Sequence, residues 1–164
     1  MKKNIFLNRS LAVIHDLTKD ERQYLFNHVK RLKDAIKDED EDIVDSYRIN
    51  NPNKGIYLVF LEDSTRTKES FRNAAEFHRS KISIFDVSHS SFNKKESYAD
   101  TFSMLTGYDN QIFVVRSKEE GVCKWLEEAG KTYALRNNIT PPAFINAGDG
   151  KHEHPTQELL DEVT

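Results

Sequence analysis

The sequence predicts an α/β fold, a three-layer αβα domain with a four-stranded parallel sheet at its centre. The strands are predicted by four short apolar, partly β-branched runs: IYLVFL (56–61), ISIFDV (82–87), QIFVV (111–115) and AFINA (143–147). A segment with helical spacing of apolar residues separates each run from the next. Strands and helices in alternation are typical of a parallel sheet with helices on both faces.

A further helix is predicted ahead of the first strand. Thr18 and Glu21 have capping-box spacing, and apolar residues then recur at helical intervals. These residues are Leu25, Val29, Leu32 and Ile36. The acidic run DEDED (38–42) predicts a solvated helix end or loop, and NNPNKG (50–55) predicts a turn.

The helices between the strands are expected to place their apolar faces in the core. Those faces carry Phe71, Ala74, Ala75 and His78, then Ala99, Phe102 and Leu105, then Val122, Trp125, Leu126 and Ala129. Residues 130–142 are predicted to form an irregular surface connection, in which Pro141 and Pro142 lead into the last strand.

Composition excludes several classes of function. The 164 residues give room for one domain, and 24 Lys and Arg against 27 Asp and Glu leave a net charge of −3. This balance excludes the broad basic field of a nonspecific nucleic-acid binder. The longest apolar run is far short of the roughly 20 residues that a membrane span requires. The single cysteine, Cys123, excludes an intrachain disulfide and fits a cytoplasmic protein; it is expected to be partly buried and without a chemical role.

The segment directly after the first strand has two interpretations. It contains Ser64, Thr65, Arg66 and Thr67. In the first, Ser64 or Thr65 caps the next helix, with Glu69 helping in the first turns. In the second, the three hydroxyls and the guanidinium form a phosphate socket. Capping gives no reason for an arginine between two threonines, but the local pattern leaves both open.

Polar groups follow all four predicted strands. These segments are EDSTRT (62–67), SHSSFNKKES (88–97), Arg116 and NAGDGKHEHPTQ (146–157). In open parallel sheets, ligands bind at the carboxyl ends of the strands, so these segments are expected to converge. Helix N-termini attract anions, to which an arginine adds charge-assisted hydrogen bonds. The sequence therefore predicts a phosphate-handling site.

His154 and Gln157 are predicted to lie together at the N-terminus of the last helix, because Pro155 favours the first helical turn. The alternative is a histidine that is hydrogen-bonded within its own loop. Asp149 and His152 would also permit a metal site, but no helical spacing fixes a third ligand. Neither a metal nor a cofactor is predicted.

The motifs STRT and HPTQ together resemble the carbamoyltransferases, and NAGDG ahead of HPTQ resembles aspartate carbamoyltransferases in particular. The resemblance extends from about Ser10 to the end. It implies that residues 1–164 form the carbamoyl-phosphate-binding domain of a two-domain subunit, ending within a helix and without the amino-acid-binding domain. The implied reaction transfers a carbamoyl group from carbamoyl phosphate to L-aspartate in pyrimidine biosynthesis.

The resemblance also implies a role for each matching residue. The expected substrate-binding residues are Ser64, Thr65, Arg66, Thr67, Ser90, Lys94, Arg116, His154 and Gln157. Thr67, Arg116 and His154 are expected to stabilise the oxyanion of a tetrahedral intermediate, without a covalent nucleophile. In the family, a serine and a lysine matching Ser90 and Lys94 reach the site from a neighbouring subunit of a homotrimer, and a regulatory subunit is a further possible partner.

The sequence departs from the family pattern in three places. Lys68 stands where a second arginine is usual, Lys95 stands where a glycine is usual, and the connection at 130–142 is longer than expected. Lys95 could be the donated lysine instead of Lys94, because KES resembles ornithine carbamoyltransferases.

Two alternatives to aspartate carbamoyltransferase stay open. One is ornithine carbamoyltransferase, against which NAGDG argues. The other is a noncatalytic phosphate-binding or subunit-interaction module. The 164 residues alone are expected to bind carbamoyl phosphate without turnover.

Overall fold

A parallel sheet lies at the centre of the structure, a computed structural model that describes residues 5–51, 54–85, 98–108 and 110–164. In chain order the elements are α1 (Lys19–Lys37), α2 (Glu41–Ser46), β1 (Gly55–Phe60), α3 (Thr65–Phe77), β2 (Lys81–Phe85), α4 (Tyr98–Thr106), β3 (Asn110–Ser117), α5 (Val122–Asn137), β4 (Ala143–Asp149) and α6 (Pro155–Val163). The strand order is β2-β1-β3-β4, and all neighbours are parallel.

Alternate residues of each strand point to opposite faces of the sheet. The strands β1, β3 and β4 are buried on both faces, whereas the edge strand β2 is only partly covered. One face buries Leu58, Phe60, Val114 and Ala147. The other buries Val59, Phe113, Val115 and Phe144. Phe71 of α3 packs against the first face, and α4 and α5 contribute Phe102 and Leu126 to the second. The predicted three-layer fold is confirmed.

The helix predicted ahead of the first strand is confirmed as α1. The Thr18 hydroxyl accepts from the backbone N–H of Glu21 (3.2 Å), and the Glu21 carboxylate accepts from that of Thr18 (2.9 Å). The acidic run then separates two helices, since the Asp40 carboxylate accepts from the backbone N–H of Ile43 (3.1 Å) and caps α2.

Two predictions for α5 are wrong. Residues 130–137 continue the helix, so only residues 138–142 form an irregular connection. The buried stripe of α5 follows i,i+4 spacing and contains Val122, Leu126, Gly130 and Ala134. Trp125 lies beside this stripe and is 45% exposed, so it is not a core residue.

Gly130 permits close packing of α5 on β4. A Cβ atom at this position would lie 2.9 Å from Cε2 of Phe144, a distance that forces the ring or the helix to move. Glycine lowers intrinsic helix stability, so the sequence alone suggested a helix end here. Contact with Phe144 outweighs that local preference.

We expect Gly130→Ala to destabilise the protein by up to about 2 kcal/mol, because overpacking costs about 1–3 kcal/mol and better helix propensity returns only about 1 kcal/mol. Urea unfolding measures the change. Thr132→Ala, at an exposed position of the same helix, is the control and should change stability little. A stabilised Gly130→Ala variant would contradict the packing explanation.

The segment before α1 extends the sheet beyond β4, which the sequence pattern did not predict. Leu11 donates its N–H to the carbonyl of Phe144 (2.8 Å) and accepts from the N–H of Asn146 (2.9 Å). This contact covers part of the outer edge of β4. It also ties residues 10–12 to the strand that leads into the HPTQ segment.

Three further properties concern only the part of the chain that the structure describes. No helix there is long and apolar enough to cross a membrane. No three His, Cys, Asp or Glu side chains there group closely enough to hold a metal ion. Cys123 is fully buried, more than predicted, and burial raises the pKa of its thiol far above the ordinary value, so it stays protonated.

Candidate active site

The strand order creates a crevice between β1 and β3. The chain runs from β1 to β2 on one side and from β3 to β4 on the other, and ligands bind at such switch points in open α/β sheets. At the carboxyl end, Phe60 pairs with Arg116, and Leu61 donates its N–H to the Arg116 carbonyl (2.8 Å). Arg116 therefore lies beside the segment that enters α3.

A cleft of about 920 Å³ opens there. Its lining includes Ser64, Thr65, Arg66, Thr67, Arg116, His154 and Gln157. The structure thus brings together all the predicted site residues that fall in its described ranges. Ser90, Lys94 and the alternative donor Lys95 lie outside those ranges.

Several polar groups at the N-terminus of α3 have no side-chain partner among the described residues. Ser64 occupies the N-cap position, but its hydroxyl makes no capping hydrogen bond, and Glu69 forms an ion pair with Arg72 (2.7 Å) instead. Among the described residues, no hydrogen bond or ion pair engages the hydroxyls of Ser64, Thr65 and Thr67 or the guanidinium of Arg66. These observations favour the phosphate socket over the capping interpretation.

Arg116 is held from two sides. Its Nε lies 2.8 Å from Oε1 of Glu62, and its Nη1 donates to the carbonyl of Ala147 (2.8 Å). Nε lacks a partner with hydrogen-bond geometry, so the contact with Glu62 is an ion pair with an off-line N–H. Both side chains are mostly buried, at 22% and 17% exposure, which strengthens the pair. Glu62 was not predicted from the sequence as a site residue. The available signal was its position directly after β1, where a mostly buried carboxylate requires a cationic partner.

His154 has a defined protonation state. Its Nδ1 accepts from the backbone N–H of Gln157 (3.3 Å), and the Thr156 hydroxyl lies 3.1 Å from the same atom. Because a backbone N–H only donates, Nδ1 carries no proton and the neutral ring is protonated at Nε2. Burial, and then the charge of Arg116, lower the pKa of His154 below its ordinary value. Near pH 7 the ring is therefore a neutral Nε2–H donor.

Gly148 lets the strand exits approach one another. Its φ of +115° is unfavourable for other residues, and a Cβ atom would lie 2.3 Å from Nη1 of Arg116 and 3.3 Å from Cδ2 of His154. No local pattern distinguishes this requirement from an ordinary turn glycine. Gln157 lines the same cleft, and its amide nitrogen donates to Asp161 (2.8 Å).

Two other candidate residues take structural positions. The ammonium of Lys68 lies 5.8 Å from the centre of the Phe60 ring, and Lys68 is absent from the cleft lining. The Asp149 carboxylate accepts from the backbone N–H groups of Gly121 (2.9 Å) and Glu153 (3.0 Å), which occupies both of its oxygens. Asp149 is therefore a hydrogen-bond acceptor that fastens the loop after β4.

Comparison with known proteins agrees with this geometry. Residues 9–164 match the family model described as aspartate/ornithine carbamoyltransferase, carbamoyl-P binding domain. The chain belongs to this family. The protein named PyrBI from Treponema denticola is 63% identical over 163 residues, which are 99% of this chain and 30% of that protein. The aspartate carbamoyltransferase catalytic subunit of Nitratiruptor sp. is 38% identical, over 85% of this chain and 47% of that subunit.

Solved structures of the family share the fold. Aspartate transcarbamoylase from Trypanosoma cruzi, in complex with carbamoyl phosphate and aspartate, has a TM-score of 0.71 at 27% identity, covering 95% of this chain and 46% of that chain. The catalytic subunit of M. jannaschii aspartate transcarbamoylase has a TM-score of 0.72 at 27% identity, covering 94% and 45%. The chain thus spans less than half the length of these relatives. The family resemblance seen in the motifs is confirmed, and the roles of single residues stay predictions.

Proposed function

We propose that this chain provides the carbamoyl-phosphate half of an aspartate carbamoyltransferase, which forms N-carbamoyl-L-aspartate and phosphate for pyrimidine biosynthesis. One observation carries the proposal. The hydroxyls and guanidinium at the N-terminus of α3, which no side-chain hydrogen bond or ion pair from the described residues engages, share a single cleft with Arg116 and the neutral His154. An anion site and a neutral hydrogen-bond donor side by side suit a substrate that joins a phosphate to a carbonyl.

The phosphate end of the substrate would bind at α3. The first N–H groups of a helix have no partner within it, and the helix dipole favours negative charge there. Arg66 adds charge-assisted hydrogen bonds, and the hydroxyls of Ser64, Thr65 and Thr67 complete the socket. The exposure of Arg66 leaves its guanidinium free to meet the ligand.

The carbonyl end would face Arg116 and His154. The amine of aspartate attacks the carbamoyl carbon, and the carbonyl oxygen becomes an oxyanion. The carbonyl then re-forms as the bond to the phosphate oxygen breaks, and the proton lost by the amine leaves with the phosphate. Thr67, the Arg116 guanidinium and Nε2–H of His154 stabilise the oxyanion, and Gln157 contacts the carbamoyl nitrogen. Donors already in place for the developing charge are the main source of the rate enhancement.

The other half of the reaction belongs to the whole protein. The carboxylates of aspartate need cationic groups of their own, which we assign to the amino-acid-binding domain. Aspartate is preferred over ornithine because NAGDG precedes HPTQ and because the relatives and solved structures named above are aspartate enzymes. A homotrimer that donates Ser90 and Lys94, a regulatory subunit and a cytoplasmic location stay predictions.

The test is substrate binding followed by turnover in the full-length protein. Calorimetric titration with carbamoyl phosphate is expected to show saturable binding. Assays with aspartate and with ornithine as acceptors are expected to give carbamoyl-aspartate only. Product from ornithine alone would assign the protein to the ornithine enzymes, and binding without any product would favour a noncatalytic module.

A further inference from the structure

The loop between β4 and α6 is fastened by a buried carboxylate. Asp149 is only 4% exposed, and its Oδ2 accepts from the backbone N–H of Gly121, in the turn between β3 and α5. Its Oδ1 accepts from the backbone N–H of Glu153 at the far end of the loop. The N–H of Gly150 adds a hydrogen bond to the carbonyl of Ser117 (2.9 Å). Asp149 therefore joins the exits of β3 and β4.

A second carboxylate holds the other end of the same loop. Oε2 of Glu153 accepts from the backbone N–H of Ile14 (2.8 Å), 139 residues away in sequence. The Glu153 carbonyl accepts from the N–H of Asp149 (3.2 Å) and lies 3.5 Å from the side-chain nitrogen of Asn146. Glu153 directly precedes His154, so the position of Glu153 fixes the backbone from which the imidazole of His154 extends.

We propose that Asp149 and Glu153 are positioning residues that fix His154 and Arg116 in register for the carbamoyl carbonyl. Neither carboxylate lines the cleft. They act through the loop, because displacement of residues 149–153 moves His154 at one end and Gly148, which lies against the Arg116 guanidinium, at the other. This inference rests on the proposed function.

The phosphate socket provides a contrast within the same site. Ser64 to Thr67 lie at the start of α3, and no hydrogen bond of the described residues joins them to residues 149–153. A change in the loop should therefore alter the chemistry at the carbonyl while the socket stays intact. If the two carboxylates had a purely structural role, their loss would lower stability without lowering kcat selectively relative to carbamoyl phosphate affinity.

Asp149→Asn in the full-length protein is the first test. The amide keeps the size of the carboxylate but replaces one acceptor oxygen with a donor, so one of the two backbone N–H groups loses its partner. We expect kcat to fall about 100-fold, the loss typical of a misplacement of about 1 Å, while carbamoyl phosphate affinity stays nearly unchanged.

Glu127→Gln is the matched control. Glu127 is also 4% exposed and loses a charge in the variant, but it is paired with Lys124 (2.8 Å) and Lys131 on α5 and does not line the cleft. It should lower stability and leave kcat unchanged. Equal kcat values for Asp149→Asn and Glu127→Gln would overturn the inference.

Glu153→Ala is the second test. It tests the positioning role of the loop even if Asp149→Asn does not fold. Glu153 is only half-buried, so its loss costs the fold less than that of Asp149. A fall in kcat at unchanged carbamoyl phosphate affinity supports the inference, and an unchanged kcat overturns it. Failure of the proposed function is distinguishable, because the unmodified protein would then show no turnover.

Discussion

We expect Arg66→Ala to abolish detectable binding of carbamoyl phosphate and to leave the thermal midpoint nearly unchanged. The guanidinium is exposed and makes no ion pair or hydrogen bond with other described residues, so the fold loses little with it. A phosphate would lose its main side-chain charge. Two charge-assisted hydrogen bonds at about 1.5–3 kcal/mol each correspond to a loss of more than about 100-fold in affinity.

Arg72→Ala is the control for this prediction. Arg72 belongs to the same helix, but it pairs with Glu69 (2.7 Å) and Glu76 (2.9 Å) and is absent from the cleft lining. Its loss should remove about 0.3–0.5 kcal/mol per helical pair and leave binding intact. Calorimetric titration and thermal denaturation of both variants make the comparison. A large stability loss with retained binding in Arg66→Ala would favour a structural role for this arginine.

Three of the four strands could be predicted because they are buried on both faces, whereas β2 lies at an edge of the sheet and has no fully buried residue. A central parallel strand is a short run of apolar residues between polar segments, and each observed strand overlaps its predicted run. Once the sheet is parallel, all strand exits lie at one edge. Arg66, Arg116 and His154 could therefore be placed in one site from their positions in the chain alone.

The contacts that shape the site could not be predicted, because they join residues far apart in sequence. The side chain of Arg116 reaches the carbonyl of Ala147, and that of Asp149 reaches Gly121. No periodicity encodes such pairs. The end of α5 was missed for a related reason, since the contact of Gly130 with Phe144 overrides the weak helix propensity of glycine.

In the full-length protein, we expect His154→Ala to lower kcat by about 100- to 1,000-fold and to weaken carbamoyl phosphate binding much less. Nδ1 of the ring accepts from the N–H of Gln157, which leaves Nε2–H as the donor for the carbonyl oxygen. Negative charge develops on that oxygen in the transition state that leads to the tetrahedral intermediate and is absent from the bound substrate's carbonyl, so the lost hydrogen bond matters most for turnover. Steady-state kinetics and a separate binding titration measure the two effects.

The dependence of kcat on pH distinguishes this role from loss of packing. Because the pKa of His154 is lowered, the ring is neutral at pH 7, and it gains a proton on Nδ1 only below its ordinary pKa of about 6.5. Protonated Nδ1 cannot accept from Gln157, so kcat should fall as pH drops through the lowered pKa of His154, and His154→Ala should lack this fall. His15→Ala is the control, because His15 is exposed and lies outside the cleft, and it should keep the profile of the unmodified protein. If His154→Ala retained both its turnover and the fall of kcat at low pH, the imidazole would have no part in the chemistry.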